Sequence, residues 1–150
     1  MSDALAYLAD ELAELREQKL FRYPKVLTGQ QQARAVFDGR EVINLSSNNY
    51  LGLATHPRMI AAAAGAAQEF GAGSGAVRTI AGTMDIHVEL EKKIAAFKHT
   101  EAALVFQSGF TANAGTVAAV LGKDDMIISD ALNHASIIDG CRLSRAGIRV

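Results

Sequence analysis

Two stretches of this chain bring together residue types that could do chemistry. The first is Ile127-Ile-Ser-Asp-Ala-Leu-Asn-His134, an apolar strand pattern running into a loop that ends on a histidine, followed by Ala-Ser-Ile-Ile-Asp-Gly140. Imidazole is flat, polarisable and titratable, so at a sheet edge it can stack on an aromatic ring or touch a carboxylate. The second is Ser108-Gly109-Phe110-Thr111-Ala112-Asn113, where the apolar run from 103 to 107 gives way to a helix. Backbone N–H groups at such a helix start are unpaired and form an anion site suited to a phosphate. Together the two read as a cofactor cradle, with a helix N-terminus for a phosphate and His134 over a flat ring. Each also has a plainer reading: Ser108 as an ordinary N-cap, and His134 as a capping or packing residue. His56 precedes a proline, and His87 and His99 fall on or near a helix, so only His134 follows a strand.

Other chemistries find no support. Gly71-Ala-Gly-Ser-Gly75 is not G-x-G-x-x-G and follows a helix, whereas a dinucleotide fingerprint follows a strand. Its glycines instead let the backbone pass close to a neighbour. Ser108 lacks the G-x-S-x-G elbow of a hydrolase. A metal site is not expected, since there is no cysteine pair and no histidine pair at ligand spacing.

The elements that must position these residues alternate. Residues 3–20 place Leu5, Leu8, Leu12 and Leu15 at helical spacing, which predicts an amphipathic helix closed by Tyr23-Pro24. It is either an arm packed on a partner subunit or a helix lying on its own domain. Gly29 to Gln32 reads as a connector. Asp38-Gly39 between Ala35-Val-Phe37 and Glu41-Val-Ile-Asn44 predicts a hairpin. A helix follows from Pro57 to about Phe70, with Met59 and Ile60 inward, and another from Asp85 to about His99, with Ile86, Leu90, Ile94 and Phe97 on one face. Strands are predicted at 102–107, at 126–129 and from Ile148, joined by helices over 111–121 and 135–145. Apolar strands separated by helices imply an α/β fold with a mainly parallel sheet. The expected division is 1–45, a helix and hairpin segment, and 46–150, the first part of a larger domain. An apolar strand opening at Ile148 is expected to continue in a longer protein.

Composition narrows the function classes. With 49% hydrophobic residues, 15 basic and 16 acidic residues and a net charge of −1, the chain offers no field for nucleic acid and no membrane-spanning run. The single cysteine, Cys141, excludes an internal disulfide framework and suits a reducing cytoplasm, where it reads as a small apolar residue on a helix.

Four segments, 44–52 (Asn44-Leu-Ser-Ser-Asn-Asn-Tyr-Leu-Gly52), 71–83, 101–113 and 129–140, resemble the α-oxoamine synthases in order and spacing. These are fold type I, pyridoxal-phosphate-dependent transferases that join an amino acid to an acyl-CoA. The resemblance implies that Gly109 and Phe110 hold the cofactor phosphate and that His134 stacks on the ring and orients the substrate carboxylate. It places Asn48 or Asn49 where substrate enters and Val77 in the acyl pocket, across the interface of a homodimer with shared active sites. Val77-Arg78-Thr79-Ile80-Ala81-Gly82-Thr83 and 130–140 are most similar to 2-amino-3-ketobutyrate CoA ligases, which condense glycine with acetyl-CoA to 2-amino-3-oxobutanoate. The Ser-Gly-Phe loop is also similar to that of 8-amino-7-oxononanoate synthases, which use alanine and a pimeloyl thioester. Their acyl-binding arginine would fall near Leu20 or Arg22. Members that take succinyl-CoA hydrogen-bond its carboxylate from the position of Val77, which valine cannot do. The family's cofactor-binding lysine and its aspartate partner for the ring nitrogen lie beyond residue 150, so these residues alone are expected to be inactive. A lysine-less, non-catalytic subunit is the alternative class.

Overall fold

The computed structural model describes residues 4–150. They form two compact units, one ending at Gly73 and one running from Ser74 to Val150. The division between these units falls inside the glycine-rich loop.

In the first unit, α1 spans Ala6–Glu17. It stops well short of Tyr23-Pro24 because Lys19 turns left-handed at φ 57° and the N–H groups of Leu20 and Phe21 close back on the Leu15 carbonyl. The Arg16 guanidinium then lies 4.8 Å from the centre of the Phe21 ring. No residue of α1 is buried, and its leucines Leu8, Leu12 and Leu15 stay about 40% exposed. Residue 3 of the expected helix lies outside the described residues.

Strands β1 (Leu27–Thr28), β2 (Arg34–Phe37) and β3 (Arg40–Ile43) form an antiparallel sheet in that order. The β2–β3 turn is the expected Asp38-Gly39, with both residues at positive φ (48° and 77°), the backbone a two-residue hairpin needs. It sets the register Phe37↔Arg40 through Arg34↔Ile43. After a short 3-10 turn at Leu53–Thr55, α2 runs Pro57–Phe70, started by Pro57 at its first position and capped by His56, whose Nδ1 accepts from Arg58 N–H at 3.2 Å. Met59 and Ile60 are not inward: both stay about half exposed, because no described element covers that face.

In the second unit, α3 is Asp85–Lys98, α4 is Gly109–Val120 and α5 is Ala135–Ser144. Strands β4 (Met126–Ile128) and β5 (Gly147–Arg149) pair in parallel, with Ile127 opposite Ile148. The β4–α5–β5 crossover is the α/β unit expected there. Residues 102–107 form no strand, because no described strand lies alongside to complete a ladder. On α3, Phe97 stays 80% exposed and Leu90 nearly half exposed, while Ile86 and Ile94 are the better covered residues of the expected face. The small core lies where α4 and α5 meet and in the turn that follows α5, around Ser136, Gly140, Cys141, Ser144 and Ala146. Cys141 is a buried free thiol on α5, the apolar role expected of it. Among the described residues, no helix is long and apolar enough to cross a membrane.

Candidate functional site

The site grows from the first turns of α4 and α5. At α4 the chain arrives extended, and Ser108 and Thr111 cap each other. Thr111 N–H donates to Ser108 Oγ (3.2 Å) and Ser108 N–H donates to Thr111 Oγ1 (3.1 Å). Ala112 N–H turns back on the Ser108 carbonyl at 3.0 Å. This exchange leaves the N–H groups of Gly109 and Phe110 without a partner among the described residues. A Cβ at Gly109 would meet nothing within 4 Å, so the approach to both amides is open. The capping role of Ser108 is thus compatible with an anion at the turn: the serine satisfies the flanking donors and leaves two main-chain N–H groups open.

At α5, His134 is the N-cap, its Nδ1 accepting the Ser136 N–H at 3.2 Å. The Ser136 Oγ lies 2.7 Å from the same nitrogen and accepts from Asn113 Nδ2 of α4 at 2.9 Å. The two helices approach closely because residue 140 is glycine: a Cβ there would stand 2.7 Å from the Asn113 carbonyl oxygen and 3.3 Å from Ala114 Cα. The loop before His134 is held by Asn133 Nδ2 on Ser129 Oγ (2.9 Å), while Ser129 N–H donates to the Arg149 carbonyl of β5 (2.8 Å). The imidazole itself remains exposed. Gly109, Phe110 and His134 are thus brought to one corner, and the donors and flat ring there suit a phosphate-bearing aromatic cofactor.

Val77 lies elsewhere in the same unit. It is 60% exposed on a loop lining a groove of about 710 Å³ together with Arg78, Thr83, His87, Leu104 and Phe106. Arg78 anchors that loop. Its Nη2 reaches both Glu91 carboxylate oxygens (3.0 and 3.1 Å) and its Nε donates to Thr83 Oγ1 (3.1 Å). Glu91 also accepts the Val105 N–H at 3.0 Å, supporting the strandless 102–107 segment. That main-chain donor, followed by Arg78, holds the Glu91 carboxyl below the usual glutamate range against the opposing effect of its partial burial. Asn49 belongs to the first unit. Its Nδ2 donates to the Gln31 carbonyl (3.1 Å) and its Oδ1 accepts from Ala54 N–H (3.0 Å), so the side chain closes its own loop. Asn48 accepts from the Tyr50 hydroxyl at 3.3 Å.

Sequence reasoning passed over Ser136, Asn113, Arg78 and Glu91 as contributors. The one signal for Ser136 was a hydroxyl two residues after a capping histidine, amid Ala135, Ile137 and Ile138. No lysine lies in the first turns of α4 or α5; Lys25 pairs with Asp38 and Lys93 with Glu89. Among the described residues no cluster of three or more His, Cys, Asp or Glu could hold a metal.

Known proteins align with this geometry. The chain is 60% identical over 142 residues to an 8-amino-7-oxononanoate synthase of Symbiobacterium thermophilum, covering 95% of this chain and 36% of that protein. It is 58% identical over 144 residues to the one from Exiguobacterium sibiricum, covering 96% and 37%. Among solved structures, a serine palmitoyltransferase from S. paucimobilis with PLP and myriocin bound superposes at TM-score 0.83 and 34% identity, over 97% of this chain and 38% of that one. The chain spans little more than a third of the length of these proteins. Aminotransferase class I and II is the family whose profile matches residues 40–150, carrying the Gly109 turn and His134 alike, and to that family the chain belongs.

Proposed function

We propose that the full-length protein condenses alanine with a pimeloyl thioester, releasing coenzyme A and carbon dioxide and forming 8-amino-7-oxononanoate. The observation that carries this reading is the 58–60% identity to synthases of that name over nearly the whole chain. It replaces glycine and acetyl-CoA as the leading pair. Val77 speaks only against a hydrogen bond at its own position, so a distal acyl carboxylate needs a cation elsewhere. At the register where pimeloyl-using members place an arginine, Leu20 carries no charge, whereas Arg22 is charged and exposed.

In this reading Gly109 and Phe110 donate their N–H groups to the phosphate, an interaction strengthened by the positive end of α4. His134 covers the ring and offers its outer nitrogen to the amino-acid carboxylate. Val77 and its groove receive the acyl chain. Pyridoxal phosphate, when bound, supplies the electron sink that weakens the Cα–H bond of the amino acid. The family's lysine and aspartate, and a homodimer with shared sites, complete the proposal.

Coenzyme A release by the purified full-length protein tests it, with glycine or alanine against acetyl-, succinyl- and pimeloyl-CoA. The expected outcome is the highest kcat/KM for alanine with pimeloyl-CoA. Preference for glycine with acetyl-CoA would restore the ligase reading. Binding of pyridoxal phosphate with no turnover of any pair would indicate a non-catalytic subunit. Sedimentation at micromolar concentration should show a dimer.

A further inference from the structure

Ser136 is 1% exposed yet carries a hydroxyl, and a buried hydroxyl needs partners. It has two, one on each helix of the corner: Asn113 Nδ2 at 2.9 Å and His134 Nδ1 at 2.7 Å. The proton positions follow. Asn113 Nδ2 is donor only, so Ser136 Oγ accepts there. The Ser136 main-chain N–H points at His134 Nδ1 (3.2 Å) and cannot turn away, so that nitrogen presents its lone pair. The serine proton is left for the same lone pair, and the proton of the neutral ring sits on Nε2.

Two other histidines provide a comparison within the chain. His56 and His87 also accept main-chain N–H groups at Nδ1, from Arg58 at 3.2 Å and from Met84 at 3.0 Å. Neither ring nitrogen carries a second side chain. Starting a helix therefore requires no Ser136 and no Asn113; at His134 they do something more.

We propose that Ser136 and Asn113 are positioning residues for His134. With the Nε2–H tautomer already set by the Ser136 main-chain N–H, they fix the orientation of the imidazole and tie it to the helix that carries Gly109 and Phe110, so that ring cover and phosphate turn form one unit. The consequence for the reaction is that His134 donates a hydrogen bond to a substrate carboxylate and does not act as the proton acceptor. The proposal rests on the reading of this corner as the pyridoxal-phosphate site.

The test uses the full-length protein. Nitrogen-15 spectra without cofactor should show His134 as the Nε2–H tautomer; an Nδ1–H tautomer would overturn the assignment. A double-mutant cycle read by the dissociation constant of pyridoxal phosphate and the KM of the amino acid then separates positioning from mere folding. Ser136→Ala should weaken both about fivefold, and Asn113→Ala about threefold, the size of a lost hydrogen bond. In a His134→Ala background each change should fall below about twofold, because the group it positions is gone. Equal losses in both backgrounds would defeat the proposal. If Ser136→Ala does not fold, the half-buried Asn113 carries the cycle alone. Failure of the unaltered protein to bind pyridoxal phosphate would sink the cofactor reading, while His134 ring resonances that stay unchanged in Ser136→Ala would still defeat the positioning claim.

Discussion

The α4–α5 corner and the groove under Val77 belong to the same compact unit but are built on opposite terms. Behind the exposed Gly109, Phe110 and His134, the corner is closely packed: glycine backbone lies against main chain, a serine is fully buried, and every buried side-chain polar atom among the described residues has a partner. The groove is open, with Val77 and Leu104 each more than half exposed, and its loop depends on one ion pair that also holds Val105. A cofactor shared by a family calls for a fixed, preorganised cradle. Acyl groups differ between members, so the surface that meets them tolerates variation better when little else packs on it. Under the proposed function, the closely packed region would serve what the family shares and the open one what its members select.

The largest effect should come from closing the space at Gly140. In Gly140→Ala the new Cβ meets the Asn113 carbonyl oxygen at 2.7 Å, a contact with backbone that only separation of the helices relieves. Overpacking of this kind costs about 1–3 kcal/mol, measured as a lower denaturation midpoint of the full-length protein. Affinity for pyridoxal phosphate should drop about tenfold, roughly 1.4 kcal/mol of lost binding, since the Ser136–Asn113 link spans that contact. Gly82→Ala sharpens the contrast. Its Cβ would lie 2.0 Å from the Ala76 carbonyl oxygen, so the Val77 loop must move. Stability should again fall, but here acyl selectivity should shift while cofactor affinity holds. Identical responses from the two variants would dissolve the distinction between the regions.

The corner was legible in sequence because its signals are local. Ser108 before Gly109, His134 after a strand and Asp38-Gly39 between apolar runs each dictate backbone within a few residues. What failed was non-local. Residues 102–107 have a strand's composition, but a strand exists only with a neighbour to complete its ladder, and none is described there. The inward placement of Met59 and Ile60 failed for the same reason, as apolar spacing predicts a face but not what covers it. Arg78 and Glu91 lie thirteen residues apart, and Asn113 and Ser136 lie twenty-three apart, distances at which no helical or strand period links them. The end of α1 was misplaced because Lys19, not the proline, adopts the left-handed turn.

A smaller effect is expected at Glu91, where the groove can be loosened without touching the corner. Glu91→Gln keeps an oxygen for Val105 but removes the charge that Arg78 grips. KM for the acyl thioester should rise about threefold to tenfold, in keeping with one weakened charged hydrogen bond, with the cofactor dissociation constant unchanged. The pH dependence has a definite sign. The folded carboxyl titrates below the ordinary glutamate value of 4.5, so its contribution is fully present above that value and is lost as pH falls through the lower, folded one. Thermal midpoints of the two proteins should differ at neutral pH and converge in acid below about 4.5. A gap that widened in acid would contradict the assigned partners.

The smallest effect belongs to the hairpin of the first unit, which contributes scaffold and no site residue. Gly39 sits at φ 77°, and a Cβ there meets nothing within 4 Å, so Gly39→Ala bears only the left-handed backbone penalty, about 1 kcal/mol. The register survives because four residue pairs of the β2–β3 ladder hold it, while Asp38 ties the turn to the start of β1: its N–H donates to the Val26 carbonyl at 3.0 Å, its carboxylate accepts the Val26 N–H at 3.0 Å, and Lys25 lies 3.0 Å away. The first of those carboxylate contacts, then Lys25, lowers the Asp38 pKa, so this bracket too weakens only in acid. Gly39→Ala should therefore lower the denaturation midpoint slightly while leaving cofactor affinity and acyl selectivity untouched. A change in either would show that the corner and the groove draw on the first unit for their geometry, and the contrast between them would then have to be explained by the whole chain rather than by local packing.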